Sequence, residues 1–564
     1  MARMWVTDPA RRPAIRTDSG RPDSPFVPGG GARTRCYAAP AVRIPFVLYA
    51  LALVVRILLI WHFPDPAYPD SFYYVDVARN LAEGRGFSID LIWIFPEVGG
   101  TIPADPTLPI PSNAHWMPLA SLVQVPFLLA LGPSPWASAL PFALIGSIAA
   151  PLTWAMARDA GASARVSLGA GILVAVPVLS AVYMVQPDNF SLYQPLVLGA
   201  LWLGARGLKG SARSFVAAGL LTGLATLSRN DGLLVLGALG LAFLWDRWRR
   251  RAIPWSAAFG CVALFLLVMA PWWLRQLAVF GSLSPSTASG KVFFIQDIGE
   301  WNSITTPATL QHLLDMGLGP LIGSRISGLL SAITIYAVLV GGVVLVPFMV
   351  IGGWARRRSL DFGPFFLYLG LLFAFSTLVS AVHVPGGTFI HSAVALAPHS
   401  YVLALEGIAL AVGWVAARRP SWDARTATRA FTGAAVVFAC GAAVVGAGVV
   451  HGVWSDSRAK FRQVAAALDA AGAPVTDRVM SIDAAGTKYW TGRGGVVLVN
   501  DPPETIQDVI DAYDVRWLVL DRAESVKPMA PVLDGIARPT WLGDPILSLG
   551  QPLGLAVFPV EGAS

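Results

Sequence analysis

Among the residues able to do chemistry, one acid stands in an aromatic setting: Tyr68-Pro69-Asp70-Ser71-Phe72-Tyr73-Tyr74, followed by an apolar stretch that stops at Gly84 and Gly86. The pattern reads as a short capped helix. Asp70 or Ser71 can accept hydrogen bonds from the free N–H groups of its first turn, and Gly84 suits the left-handed residue just past its last. Capping alone would account for Asp70. The same carboxylate, ringed by Tyr68, Tyr73 and Tyr74, could instead act as a general base on a hydroxyl acceptor, the rings offering flat faces to a sugar. Asp76, six residues further on, reads as part of a solvated helix face. His383 and His391 flank Val384-Pro385-Gly386-Gly387, and with nearby carboxylates they could hold a divalent ion. Their spacing matches no short metal motif, so hydrogen-bonded loop histidines are the other reading. His115, beside Trp116, is a further candidate for contact with substrate.

Composition indicates what holds these groups. Of 564 residues, 55% are hydrophobic and only 13% charged, with a mean hydropathy of +0.60. That balance excludes a soluble enzyme. Three cysteines, Cys36, Cys261 and Cys440, are too few and too scattered for a disulfide framework or a zinc site. The formal charge of +7 matters through its distribution. Five short loops, near 158–165, 206–213, 247–251, 356–358 and 418–429, carry sixteen Lys and Arg residues, whereas the short loops alternating with them near 183–189, 228–231 and 383–396 hold only Arg229. Basic loops stay on the cytoplasmic side, so the chain weaves through a membrane with its chemistry on the other face. The run 117–131 is short and carries Pro118 and Pro126, which suits an interfacial helix.

The expectation is an α-helical polytopic plasma-membrane protein with about 11 spanning helices and large outer loops. Residues 1–40 would be a disordered cytoplasmic tail and 41–451 the transmembrane domain, with outer loops 63–136 and 275–329. Residues 452–564 would form a small extracytoplasmic α/β domain, with a helix at 461–471 and strands at 496–499 and 517–520. Arg56 lies inside the first span, where a cation either faces a partner or a wet cavity or snorkels to the interface. Glu406 is almost the only acid within a span, which counts against a transporter. No nucleotide-binding loop, zinc helix or outer-face nucleophile elbow is present, so no nucleotide cofactor and no nucleic-acid partner is expected.

The uncleaved first helix, Pro69-Asp70-Ser71-Phe72-Tyr73-Tyr74, the segment Ala78-Arg79-Asn80-Leu81-Ala82-Glu83-Gly84-Arg85-Gly86-Phe87 and Trp116-Met117-Pro118-Leu119 together resemble the GT-C membrane glycosyltransferases. Protein O-mannosyltransferases and bacterial aminoarabinose transferases are members. The resemblance covers about residues 40–450, and Tyr489-Trp490-Thr491-Gly492-Arg493 is similar to the outer domain of bacterial relatives. It implies a sugar donor carried on polyprenyl phosphate and an acceptor that is a glycan, a lipid or a protein, with inversion at the sugar carbon. It makes Asp70 the catalytic acid and carries a second one to Asp188 in Gln186-Pro187-Asp188-Asn189, although an Asx-type turn is the plainer reading there. A donor phosphate calls for a cation at an outer helix end. Arg275, after Pro271-Trp272-Trp273-Leu274, fits best, with Lys291 and Arg325 in the same segment; each could instead meet lipid headgroups. Tyr68, Tyr73, Tyr74, Arg56, His115 and His391 would line the substrate site. Arg229 could pair with Asp231 and be structural. Metal dependence stays open, and a non-enzymatic transporter or scaffold for lipid-linked sugars is the alternative.

Overall fold

Apolar runs this long can satisfy their backbone hydrogen bonds in lipid only as helices, and helices are what forms. The computed structural model describes residues 38–93, 101–103, 106–379, 388–419, 421–524, 527–550 and 554–561. The expected tail as far as residue 37, with Cys36, and also His383 lie outside them; residues 38–40 already belong to the first helix, α1 (Ala38–His62). Residues 43–564 form one unit, which carries everything described below.

Six helices among the described residues are long and apolar enough to cross a membrane: Arg43–His62, Pro135–Asp159, Trp255–Phe280, Leu318–Val340, Phe389–Ala416 and Ala424–Ala470. Shorter apolar helices accompany them, including Ala164–Ala175, Ala212–Ser228 and Gly363–Val379. The run 117–131 breaks into Leu119–Leu122 and Val125–Leu131, too short to span. The run expected at 330–354 is not one helix. A helix begins at Leu318, widens into a π turn over Tyr336–Val340, and stops where Gly342 and Val343 take positive φ; a second helix covers Val346–Arg356. Adjacent glycines at 341 and 342, each worth about 1 kcal/mol against a helix relative to alanine, account for the break. The loop expected at 275–329 therefore ends at residue 317.

The helix that begins among the arginines at 418–429 runs without interruption over Ala424–Ala470, so the boundary placed at 452 falls inside it. The sheet beyond it is mixed. Its strands are β1 (Leu91–Ile92), β2 (Arg478–Ser481), β3 (Gly495–Val497), β4 (Val515–Asp521), β5 (Leu547–Leu549) and β6 (Leu555–Pro559), in the order β1-β3-β2-β4-β6-β5. The first four are mutually parallel, and β6 runs antiparallel to both β4 and β5. β1 comes from the loop that follows Asp70, so this loop completes the C-terminal sheet. Lys488 ties the junction through an ion pair to Asp90 at 3.1 Å.

Small residues set the closest helix contact. A methyl at Gly352 would lie 1.9 Å from the Leu403 carbonyl oxygen, and one at Gly407 would lie 2.0 Å from that of Phe348. The pair of helices is fastened by Arg356, which donates to both Glu406 oxygens, at 2.8 and 2.5 Å. The one acid noted within a span is thus neutralised by a structural partner. Gly353, one residue along, faces nothing closer than 3.9 Å. Gly352→Ala is expected to destabilise by about 1–3 kcal/mol through overpacking, seen as a lower midpoint of thermal unfolding in detergent, whereas Gly353→Ala leaves the midpoint unchanged or raises it.

Candidate functional site

The acid-bearing segment forms the helix α2 (Pro69–Ala82), and its ends are built as the sequence suggests. Ser71, at the third helical position, is the capping residue: its hydroxyl accepts from the amides of Ala67 at 3.1 Å and Tyr68 at 3.2 Å and donates to the Tyr68 carbonyl at 2.7 Å. At the other end Gly84 has φ +79°, with its N–H on Leu81 and that of Arg85 on Asn80, a Schellman closure. Because Ser71 takes the cap, the Asp70 carboxylate is left to face elsewhere.

It faces two other groups far away in sequence. Asp70 Oδ1 accepts the Trp116 indole N–H at 3.0 Å, and Oδ2 lies 3.7 Å from His391 Nε2. The same imidazole nitrogen is 3.2 Å from Asp188 Oδ2, which also accepts the Tyr68 hydroxyl at 2.9 Å. Asp188 has no exposed surface, and its Oδ1 accepts the following amide, Asn189, at 2.5 Å, so the Asx-type contact is present as well. One ligand atom from each of Asp70, Asp188 and His391 lies within 4.8 Å of the others. Two oxygens and an imidazole nitrogen at this spacing fit a divalent cation.

The two carboxyls are not equivalent. Burial, and then the neighbouring Asp188 charge, push Asp70 above the usual carboxylate range. Burial acts on Asp188 too, but the His391 ring and the hydrogen bonds from Asn189 and Tyr68 outweigh it and hold that group below its ordinary value. Asp188 therefore ionises first and Asp70 keeps its proton longer. Burial and Asp188 raise the Tyr68 hydroxyl, which stays a donor.

A cation braces the histidine. Arg229 Nε lies 2.8 Å from Asp231 Oδ1, the pair expected from sequence, and donates to the hydroxyl of Ser392 at 3.0 Å, while that hydroxyl bonds Asp231. Ser392 follows His391, so this cluster fixes the helix start that presents the imidazole. The Arg229 charge also acts on Asp70. That proximity was not legible from spacing; the sole hint was Arg229 two residues from Asp231, in short loops otherwise without basic residues.

The aromatic shell is as dense as its spelling suggests. Tyr73 stacks on Trp116 with ring centroids 4.1 Å apart, and its hydroxyl accepts the Asn113 amide at 2.7 Å. Tyr74 is buried, and burial and the Asp188 charge raise its hydroxyl. His115 stands edge-on to Trp116, and burial, then Arg229, push it down to about 4, so it is neutral at pH 7. Asp76 does not lie on a solvated face: it is half-buried, and burial raises its carboxyl despite Lys488 nearby.

The expected phosphate cations differ in their surroundings. Arg275 donates to Gln276 at 2.8 Å and packs over Phe87, Trp272 and Phe280. Gln276 in turn donates to the Asn113 carbonyl at 2.8 Å, which links Arg275 to the residue beneath Tyr73. Lys291 is not brought to the carboxylates. It is buried, and its ammonium donates to the carbonyls of Glu300, Ser303 and Thr306 at 3.2, 2.7 and 2.9 Å, which takes up its three protons. Arg325 sits half-buried on the helix Leu318–Ile335. Arg56 is buried in α1, where Nη1 donates to the Ala52 carbonyl at 3.3 Å and Nε and Nη2 make no hydrogen bond among the described residues.

Residues 116–274 match the profile of the dolichyl-phosphate-mannose-protein mannosyltransferase family. No curated protein matches the chain in sequence. Among solved structures, the chain is similar to ArnT from Cupriavidus metallidurans bound to undecaprenyl phosphate, at 14% identity and a TM-score of 0.57 over 93% of this chain and 99% of that one. The apo form of that protein gives 0.56 at 14% identity, over 92% and 98%. The oligosaccharyltransferase of Archaeoglobus fulgidus in complex with zinc and sulfate gives 0.54 at 14% identity, over 85% of this chain and 68% of that one. The fold is that of the GT-C membrane glycosyltransferases, as the sequence resemblance implied.

If Asp70 is free of any capping duty, Ser71→Ala should cost about 0.5–2 kcal/mol of stability, while Asp70→Asn leaves the unfolding midpoint close to that of the wild type. Thermal unfolding of both variants in the same detergent checks this.

Proposed function

We propose that the protein is an inverting glycosyltransferase that moves a sugar from a polyprenyl-phosphate carrier to an acceptor hydroxyl on the outer face of the plasma membrane. The observation that carries the reading is the meeting of Asp70, Asp188 and His391 in an aromatic-lined site, with the cap of α2 supplied by Ser71. Support also comes from the fold shared with ArnT, which was solved bound to undecaprenyl phosphate, and from the family match over 116–274. In this reading the chain crosses the membrane about 11 times, with its N-terminus in the cytoplasm and the C-terminal sheet outside.

Asp70, ionised, accepts the proton of the acceptor hydroxyl as that oxygen attacks the anomeric carbon in line. The new bond joins acceptor oxygen to carbon, the old bond from carbon to phosphate oxygen breaks, and polyprenyl phosphate departs with the electron pair. Arg275, at the end of an apolar helix, holds the departing phosphate, while Asp188 orients the acceptor or an ion. Tyr68, Tyr73, Tyr74, His115 and His391 line the sugar site. Lys291 shapes the loop from within. A divalent cation, if bound, would be held by Asp70, Asp188 and His391 and would supply Lewis-acid charge at that point. The Arg356–Glu406 pair neutralises a span acid that a carrier could use.

Wild-type protein in nanodiscs, given a panel of radiolabelled polyprenyl-phosphate sugars and envelope extract, should transfer label from at least one donor. Arg275→Gln should raise the donor KM at least tenfold, consistent with loss of a charged hydrogen bond of about 1.5–3 kcal/mol. Failure of every donor, with donor binding intact, would replace the enzyme by a carrier. Chelation followed by Mn2+ restores activity if the cation participates and has no effect if it does not.

A further inference from the structure

The bend that joins the helices Leu233–Arg249 and Trp255–Phe280 is remote from the transfer chemistry: Arg275 lies twenty residues further along the second helix, about 30 Å at 1.5 Å per residue. The bend holds Arg247, Arg249, Arg250 and Arg251 within five positions, with Trp248 inside the run and Trp255 just beyond it. Its backbone is fixed from below. Asp246, fully buried, accepts the Arg250 and Arg251 amides on its carbonyl, both at 2.7 Å, and the Ile253 amide on its carboxylate at 2.8 Å. Ile253 is buried in turn, and these bonds hold Arg251 at a φ of +60°, a conformation rare for a residue with a side chain.

The guanidinium groups are placed but not neutralised. Arg249 lies over the Trp248 indole, 4.3 Å from the ring centre, and Arg247 over Trp255 at 5.6 Å. Stacking of this kind fixes the plane of a guanidinium and leaves the N–H groups at its edge unused. Among the described residues no carboxylate pairs with any of the four, whereas Arg206, Lys209 and Arg356 in other basic loops are paired with Asp159, Asp361 and Glu406. The bend therefore presents several fixed positive charges with donors to spare.

The flanks decide what kind of anion fits. One turn before Trp248 stands Leu244, and one turn after Trp255 stands Phe259; both are exposed, as Trp248 itself is at 77%. An apolar wall thus runs up to the guanidinium edges. A soluble phosphate would use only the cations, while a molecule with acyl chains behind its phosphate uses the wall as well. A zwitterionic headgroup brings its own ammonium, which offsets the attraction, so exposed indoles beside clustered, unpaired arginines at the end of an apolar helix favour an anionic headgroup.

We propose that the bend at 247–255 is a docking site for an anionic phospholipid, whose phosphate meets the edges of Arg249, Arg250 and Arg251 while its acyl chains lie along Leu244 and Phe259. The proposal does not rest on the transfer reading. Native mass spectrometry of the full-length protein in mild detergent tests it, with equimolar phosphatidylglycerol and phosphatidylcholine of matched acyl chains as probes. The wild type should retain phosphatidylglycerol over phosphatidylcholine by about fivefold, and Arg249→Gln combined with Arg250→Gln and Arg251→Gln should lower that preference about threefold. The three lysine substitutions at the same positions, which keep the charge, should retain most of it, and Trp248→Ala should lower it part of the way. Arg522→Gln combined with Lys527→Gln and Arg538→Gln removes three cations from the C-terminal sheet region and should leave the preference unchanged. The unfolding midpoint reports whether each variant is folded. Equal retention of the two lipids, or an unaltered preference in the folded glutamine variant of the bend, would overturn the proposal. So would an equal fall in the sheet-region variant, which would mean that net charge alone governs binding. Displacement of the lipid by millimolar glycerol 3-phosphate would overturn it too, by making the bend a site for soluble anions.

Discussion

Two carboxylates that share one imidazole repel each other, and the rest of the structure answers that repulsion. Asp188 is the more strongly served: His391, the Asn189 amide and the Tyr68 hydroxyl all stabilise its charge. Asp70 receives one indole N–H and a more distant imidazole, so it carries the cost of burial and of its neighbour. An acid placed this way holds its proton more tightly than an ordinary carboxylate does. That is the property a group needs to take a proton during transfer.

Holding such a pair together requires elements that do not yield. α2 is pinned at both ends by Ser71 and Gly84, and its face packs into a cluster that draws Trp116, Phe142, Leu192 and Ala485 from four separate parts of the chain. The His391 side is pinned by Arg229, Asp231 and Ser392. The loop after α2 supplies β1 to the C-terminal sheet, and the loop near 303–305 is tied to Asp501 of that sheet region through Ser303 and the Ile304 amide, each at 2.7 Å. The C-terminal sheet is therefore a wall of the site region as much as a domain of its own.

Much of this was legible in the sequence. The helix with its acid and glycine stop, the membrane class and the Arg229–Asp231 pair follow from local rules of capping, hydropathy and charge spacing. Other features depend on contacts between distant residues, where local rules say nothing. Whether Asp70 or Ser71 caps α2 was undecidable until Trp116 and His391 gave Asp70 other partners. Lys291 was indistinguishable from a phosphate ligand until three carbonyls closed around it. The break after Tyr336–Val340 was written in Gly341-Gly342, but an unbroken apolar run concealed it.

The central claim is that Asp70 acts on the acceptor and not on the fold or on the donor. Single-turnover transfer from pre-bound, radiolabelled polyprenyl-phosphate sugar, with wild type beside Asp70→Asn, tests it most directly. The account predicts donor affinity within threefold of wild type and a transfer rate slowed by about 10²–10⁴, the usual contribution of a general base. An unchanged rate would contradict it, and so would a rate that falls only in proportion to lost donor binding.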